Sequence, residues 1–287
     1  MPDWLVEFPE VIHLPLAAWV DALMDWLDVA LEPVFAGIAD YLGRLLRAIE
    51  RQLLAAPWSL VTAVVALLGW RAGGWRLAVG VAAGLIFIGS LGMWYPAMST
   101  LAIVIAATLL AVVVAVPTGI AMARSDLLDR LLRPVLDLMQ TMPSFVYLIP
   151  AIMLFSIGPV PALLATFIYA VPPAIRLTNL GIRQVDRELV EAADAFGSTP
   201  AQLLFKIQLP LALPTIMAGI NQTIMMALAM VVIASMIGAG GLGEAVLRGI
   251  SRLKVGEGFV GGISIVVLAI IIDRLTERLA VPRGEAR

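Results

Sequence analysis

The sequence predicts an all-α integral membrane protein with about seven transmembrane helices, and three observations carry that prediction. Of the 287 residues, 61% are hydrophobic and 14% charged, with a mean hydropathy of +0.98, far above that of a soluble domain of this size. Apolar runs of roughly 17 to 25 residues recur, each matching a ~30 Å hydrocarbon core at 1.5 Å rise per residue. None alternates at period two, as the strands of a transmembrane barrel would. The formal net charge of -2 gives no reason to expect nucleic acid as a partner. The absence of cysteine excludes disulfides, cysteine zinc sites and thiol chemistry.

The opening MPDWLVEFPE is acidic where a cleavable signal needs a basic start, so insertion is expected to rely on internal spans. Residues 1–52 read as an extracytoplasmic tail of two amphipathic helices. In Leu16 to Glu32 the acids Asp21, Asp25, Asp28 and Glu32 share one helical face and Leu16, Val20, Leu23, Leu27 and Leu31 another. Pro33 is expected to end that helix. Arg44, Arg47 and Arg51 then oppose Ile38, Leu42, Leu45 and Ile49, as in a helix lying on the membrane surface. The tail either covers the bundle or touches an external partner.

Residues 53–93 hold two accessory spans, Leu53 to Trp70 and Trp75 to Met93. Residues 94–287 hold five more: Ala97 to Ala123, Pro143 to Ile157, Pro161 to Thr178, Leu211 to Ile237 and Phe259 to Ala280. Seven spans put the termini on opposite sides. An outside N-terminus and a cytoplasmic C-terminus leave 13 of the 19 basic residues inside, the exceptions being Arg44, Arg47, Arg51, Arg248, Arg252 and Lys254.

Between two of these spans the chain turns polar, reading EAADAFGSTPAQLLFKIQLP over residues 191–210. Val185 to Phe196 has good helix formers, and Gly197 suits a left-handed C-terminal cap. Thr199, Pro200 and Gln202 have the pattern of an N-cap, a first-turn proline and a capping-box partner. Pro210 and Pro214 punctuate the start of the sixth span. A short, capped, polar helix projecting from a membrane domain is suited to a groove on a cytoplasmic protein.

These residues also carry a resemblance. Glu191, Ala192 and Ala193, three residues, Gly197, nine residues, then Ile207-x-Leu209-Pro210 is similar at every defined position to the EAA loop of ABC-importer permeases. Ala170 to Glu188, Leu211 to Gly243 and Val246 to Gly249 resemble the glycine betaine/proline branch of type I ABC importers, and the likeness runs from about Trp94 to Thr276. The resemblance implies a five-helix, MetI-like core in a bacterial cytoplasmic (inner) membrane, with Glu191 to Gly197 as a coupling helix docked on an ATP-hydrolysing subunit. It further implies a homodimer, two ATPase copies that hold ATP and Mg, and an extracytoplasmic substrate-binding protein. The cargo would be a small compatible solute: glycine betaine, proline betaine, proline or a related quaternary amine such as choline.

The chain holds no ATP site of its own by sequence. A P-loop needs lysine after glycine, and the two lysines, Lys206 and Lys254, follow Phe205 and Leu253. The protein is therefore expected to be a transport subunit without a cofactor. Gly238 to Gly243 satisfies GxGxxG, but it follows a membrane span rather than a strand, so it reads as a tight turn into an amphipathic segment, Glu244 to Leu253. His13 is the single histidine, and neither HExxH nor GxSxG occurs.

Charge is nearly absent from the spans apart from Asp273 and Arg274, expected to snorkel or pair near the end of the last. That scarcity counts against the alternative, an ion-gradient-driven transporter, which normally carries a buried titratable group. Asn221, Gln222 and Thr223, in the sixth span, must face protein or water, as helix-packing groups or as lining of a substrate pathway. Tyr147 and Tyr169, with Phe145 and Phe167, are aromatic faces of the kind that attract a quaternary ammonium. Met226, beside Met225, Met230 and Met236, supplies flexible apolar bulk suited to a gate or to a core.

Overall fold

The computed structural model describes residues 14–280, so His13, Arg283 and Arg287 lie outside the described residues. Twelve α-helices account for most of these residues, and no strand occurs among them. They are α1 Leu16–Ala55, α2 Trp58–Gly73, α3 Trp75–Ser90, α4 Trp94–Arg124, α5 Asp126–Thr141 and α6 Leu148–Phe155. The second half comprises α7 Pro159–Arg183, α8 Arg187–Ala195, α9 Pro200–Leu203, α10 Leu209–Ala234, α11 Gly241–Ser251 and α12 Val255–Ala280.

Four helical stretches reach spanning length alone, against the seven spans expected: Trp94–Arg124, Pro159–Arg183, Pro200–Ile237 and Val255–Arg278, or six spans if two bent helix pairs each count as one. The others are shorter or broken. The expected span from Leu53 divides at Pro57, where α1 and α2 meet at 103°. The expected helix Pro143 to Ile157 is a 3-10 turn, Ser144–Tyr147, followed by the eight-residue α6. A bend of 109° separates that unit from α5. With five charged side chains in 16 residues, α5 is an amphipathic surface helix rather than part of a span.

Pro33 does not end the first helix. One 40-residue helix, α1, runs through it. An interior proline removes one hydrogen bond and strains one turn, and the residues on both sides are sufficiently good helix formers to continue. The two expected tail helices are therefore a single rod of ~60 Å at 1.5 Å per residue.

The core is built from α4, α7 and α10. Apolar side chains gain little from meeting one another rather than lipid, so close van der Waals contact between small residues has to supply the packing. Ala102, Ala106, Ala107, Ala111 and Ala115 of α4 are buried against Ala162, Ala165, Ala170 and Ala174 of α7 and Ala227 and Ala234 of α10. At Gly119 a methyl group would sit 2.5 Å from Thr178 Cβ and 2.8 Å from the Ile175 carbonyl, so this α4–α7 crossing admits no side chain.

Two sets of contacts define the ends of the bundle. At one end Gly158 N donates to Ile237 O (3.1 Å), Leu242 N to Thr100 Oγ1 (2.9 Å) and Ser99 Oγ to Glu50 Oε1 (2.6 Å). At the other, Arg183 Nη2 donates to Met122 O and Arg124 Nη2 to Pro200 O, both at 2.8 Å. The glycine-rich segment belongs to the first end. Gly238, Gly240 and Gly241 adopt φ of 80°, 76° and 78°, the left-handed region, and turn the chain into α11 as expected of a permissive backbone. The polar interruption belongs to the second.

Candidate functional site

The polar interruption forms two capped helices joined by a sharp break. Asp186, rather than a residue inside the helix, caps α8, its carboxylate accepting from Glu188 N at 3.0 Å. At the far end Ser198 N donates to Ala193 O (3.0 Å) and Gly197 N to Asp194 O (2.9 Å), with Gly197 at φ 76°. That is a Schellman cap, which satisfies carbonyls that a helix end leaves open. Thr199 Oγ1 then accepts from Gln202 N (3.3 Å) while Gln202 Oε1 accepts from Thr199 N (2.9 Å), the reciprocal capping box that the sequence pattern predicts.

Beyond the box the chain is not a loop. Leu204–Gln208 widens into a π turn, with Leu209 N donating to Leu204 O, and continues directly into α10. Pro210 offers no N–H, and its ring would press on the carbonyl four residues back, so a wider turn there relieves the clash. Ile207 and Leu209 are half-buried in this stretch and Pro210 is exposed in the first turn of α10. Residues from Pro200 to Ile237 thereby form one continuous helical stretch.

On α8, Ala193 is buried, whereas Glu191 and Ala192 are exposed and Gly197 has open space around it. Phe196 at the tip is 92% exposed, an apolar side chain with nothing over it among the described residues. Glu191 also borders a cleft of about 300 Å³ whose other walls include Ala123, Arg183, Arg187 and Gln208.

Behind α8 lies a polar cluster that the sequence pattern did not reveal. Asp129 of α5 is 6% exposed. It accepts from Asn179 Nδ2 of α7 (2.8 Å) and Arg133 Nε (3.0 Å) and lies 3.9 Å from Arg183. Arg183 also meets Asp126 (2.8 Å), Asn179 Oδ1 (3.0 Å) and Met122 O. Arg176 bridges to Asp137 at 2.6 Å. The Arg133 hydrogen bond foremost, then Asn179 and the nearby Arg183 charge, hold the Asp129 carboxyl below the usual range against the opposing pull of burial. Helices α4, α5 and α7 are thus clamped where α8 leaves the bundle, and Arg124 ties α4 to the first turn of α9. The helical pattern of α5, capped by Ser125 and acidic in its first turn, was the readable signal. The partner Asn179, 50 residues away, was not.

The residues singled out for a pathway fall into separate places. Tyr147 and Tyr169 do meet, edge to face with centroids 5.9 Å apart. Tyr147 is buried and donates its hydroxyl to Met139 O. Met226 packs against the same cluster, while Phe145 is exposed. Asn221 faces α12, accepting a hydrogen bond from Thr276 Oγ1. Gln222 is exposed, and Thr223 is fully buried with no partner for its hydroxyl among the described residues. Arg274 pairs with Glu277 at 3.0 Å rather than with Asp273. Asn221→Leu is therefore expected to destabilise the protein more than Gln222→Leu, by about 0.6–2 kcal/mol, the worth of one interhelical hydrogen bond in a bilayer. Thermal midpoints in detergent measure the difference, and equal midpoints would contradict the Thr276 contact.

Comparison with known proteins agrees with this architecture. A family described as binding-protein-dependent transport system inner membrane component matches residues 115–281. The glycine betaine/proline betaine transport system permease protein ProW of Escherichia coli (strain K12) is 51% identical, over 96% of this chain and 81% of that protein. The glycine betaine/carnitine transport permease protein GbuB of Listeria monocytogenes serotype 1/2a (strain 10403S) is 49% identical over 94% and 96%. Among solved structures, an inward-facing MetNI methionine ABC transporter aligns with a TM-score of 0.58 at 22% identity, over 63% of this chain and 91% of that one, a likeness of fold.

Proposed function

We propose, from the premise that the chain belongs to the family of binding-protein-dependent transport system inner membrane components, that it passes a quaternary-amine compatible solute through the inner membrane at the expense of ATP hydrolysed elsewhere. The chain is the permease subunit of an ABC transporter, a transport component rather than an enzyme. Glycine betaine and proline betaine are the first candidates, because both relatives matched over nearly the whole chain are named for glycine betaine, one of them together with proline betaine and the other with carnitine. The family implies an ATPase and an extracytoplasmic binding protein as partners. Two permease copies, two ATPases carrying ATP and Mg, and an N-terminus outside with the C-terminus in the cytoplasm complete the reading.

The observation that carries it is the unit from Asp186 to Pro210. Its first helix ends in the left-handed Gly197 cap and presents an uncovered Phe196, and its second is continuous with a core span. Docking α8 in a groove of the ATPase would cover Phe196, and movement of that groove would reach α10 without crossing a flexible joint. The clamp around Asp129 keeps the ends of α4, α5 and α7 together as the load arrives. Glu191, Ala192, Ala193, Gly197, Ile207, Leu209 and Pro210 act in coupling. The Tyr147–Tyr169 pair with Met226, and Asn221, Gln222 and Thr223, are candidates for the uncharged pathway, where weak contacts release a solute as readily as they hold it.

Uptake of a panel of labelled solutes by the complex in proteoliposomes tests this directly. Glycine betaine or proline betaine is expected to enter in an ATP-dependent, binding-protein-dependent manner. Uptake of none of the quaternary amines, with another solute class transported instead, would overturn the assignment of cargo.

A further inference from the structure

The face of α1 that packs on the bundle recurs at alternating steps of three and four residues: Phe35, Ala39, Leu42, Leu46, Ile49 and Leu53. All six are buried or half-buried, and Phe35 meets Phe155 edge to face at 5.6 Å. Continued toward the N-terminus in the same steps, that stripe reads Glu32, Asp28, Asp25 and Asp21. Residues three and four apart share a helix face, so one stripe changes from apolar and covered to acidic and exposed beyond Phe35. Met24, Leu27 and Leu31 stay half-buried beside it, so residues 16–34, ~28 Å of helix at 1.5 Å per residue, carry their acids on the open side. No ion pair or hydrogen bond reaches the four acids among the described residues. A separate stripe of the same stretch, Leu16, Val20, Leu23 and Leu27, provides the apolar side for lipid.

A basic turn lies at the same end of the bundle. Arg248, in the last turn of α11, and Arg252, just after it, border a cleft of about 400 Å³ with Met93 and Glu257, and Lys254 follows before α12. Lys254 is engaged by Glu257 at 2.7 Å and Arg248 by Glu244 at 3.5 Å, while no ion pair reaches Arg252 among the described residues. Phe155, which meets Phe35, lies three residues before Gly158, whose N donates to Ile237 O just ahead of α11, so the acidic half of α1 and the basic turn share one end of the bundle.

The geometry points to a second copy of this chain as the occupant. We propose that the first half of α1 reaches across the twofold axis and lays its acidic stripe, Asp21, Asp25, Asp28 and Glu32, against the Arg248–Arg252–Lys254 turn of the other permease. Such an exchange is isologous: each copy gives one arm and receives one, so the contact closes at two. It rests on the homodimer reading above and adds to it a reason for an acidic stripe that meets no charge among the described residues of its own chain. Complementary charge sets the pairing while contributing less at high salt.

The chain has no cysteine, which makes a crosslinking test clean. In the full complex in lipid nanodiscs, Asp25→Cys with Arg252→Cys is expected to give a covalent permease dimer on oxidation, with each single variant giving none. Adding Asp28→Lys should lower the yield several-fold in low salt. Restoring opposite charge with Arg248→Glu in the same chain should recover it, an outcome that a merely folded arm does not produce. The mass of the uncrosslinked complex, read in parallel, separates two failures. A dimer by mass with no intermolecular link, or with a link inside one chain, overturns the arm exchange alone. A single permease per complex overturns the homodimer itself. Protection of Asp25→Cys from a soluble thiol reagent that appears only when the binding protein is added would assign the stripe to that protein and also overturn the proposal.

Discussion

Gly197→Val is expected to leave the permease inserted and assembled but to cut solute uptake about tenfold or more, with ATP hydrolysis no longer raised by substrate. Gly197 sits at φ 76° with nothing around it, so the substitution meets no steric wall and acts through the backbone. A left-handed residue with a side chain costs roughly 1–2 kcal/mol, and a β-branched one more, so the Schellman cap opens and α8 loses its fixed exit angle. Since about 1.4 kcal/mol is a factor of ten, misplacement of the docking helix by this one residue accounts for the loss. Glu191→Lys should produce a similar uncoupling through reversed charge at the contact surface. Gly197→Asn, which tolerates the left-handed region better, should retain more activity than valine. Normal uptake and normal substrate-stimulated hydrolysis in both Gly197→Val and Glu191→Lys would remove α8 from coupling.

Asp129→Ala should be the most damaging single change in the clamp. It strands the Asn179 amide, which is 6% exposed, at about 1–3 kcal/mol for a buried polar group left unpaired. It also leaves Arg133 and Arg183 without the carboxylate between them. Asp129→Asn keeps hydrogen bonds while removing charge and should cost less. Thermal midpoints should order wild type, Asn, Ala, and uptake should fall in the same order while the isolated ATPase is unaffected. Acid acts in the same sense. The folded-state pKa of Asp129 lies below its ordinary value, so the clamp's contribution is full above the unfolded carboxylate pKa of ~3.9 and is lost as pH falls through the lower, folded one. Stability measured downward from pH 5 should therefore decline less steeply in Asp129→Asn than in the wild type. Identical slopes would show that the carboxylate is not held as described.

What the sequence could disclose followed the range of the interactions. The caps at Gly197, Thr199 and Gln202 involve neighbours within five residues, so their pattern was readable in the chain. The glycine turn before α11 was legible for the same reason. The EAA spacing marked the unit of two capped helices, and hydropathy marked the apolar stretches, of which four rather than seven reach spanning length alone. Pro33 misled because proline weakens a helix locally, whereas continuation depends on both flanks. The short α6 misled because an apolar run does not state how much of it is helix: Pro143 and the 3-10 turn consume part of the stretch. The Asp129 clamp and the Thr276–Asn221 contact join residues 50 and 55 positions apart, and no local period encodes such a pair.

The central claim, that this chain moves its cargo on the energy of a partner's ATP hydrolysis, is tested most directly by uptake into vesicles bearing the complete complex with the energy source chosen in advance. With ATP and Mg inside and all ion gradients collapsed by ionophores, labelled glycine betaine should accumulate when the binding protein is outside. With gradients intact and no ATP, it should not. Accumulation driven by a proton or sodium gradient in the absence of ATP would contradict the account and favour a gradient-driven transporter.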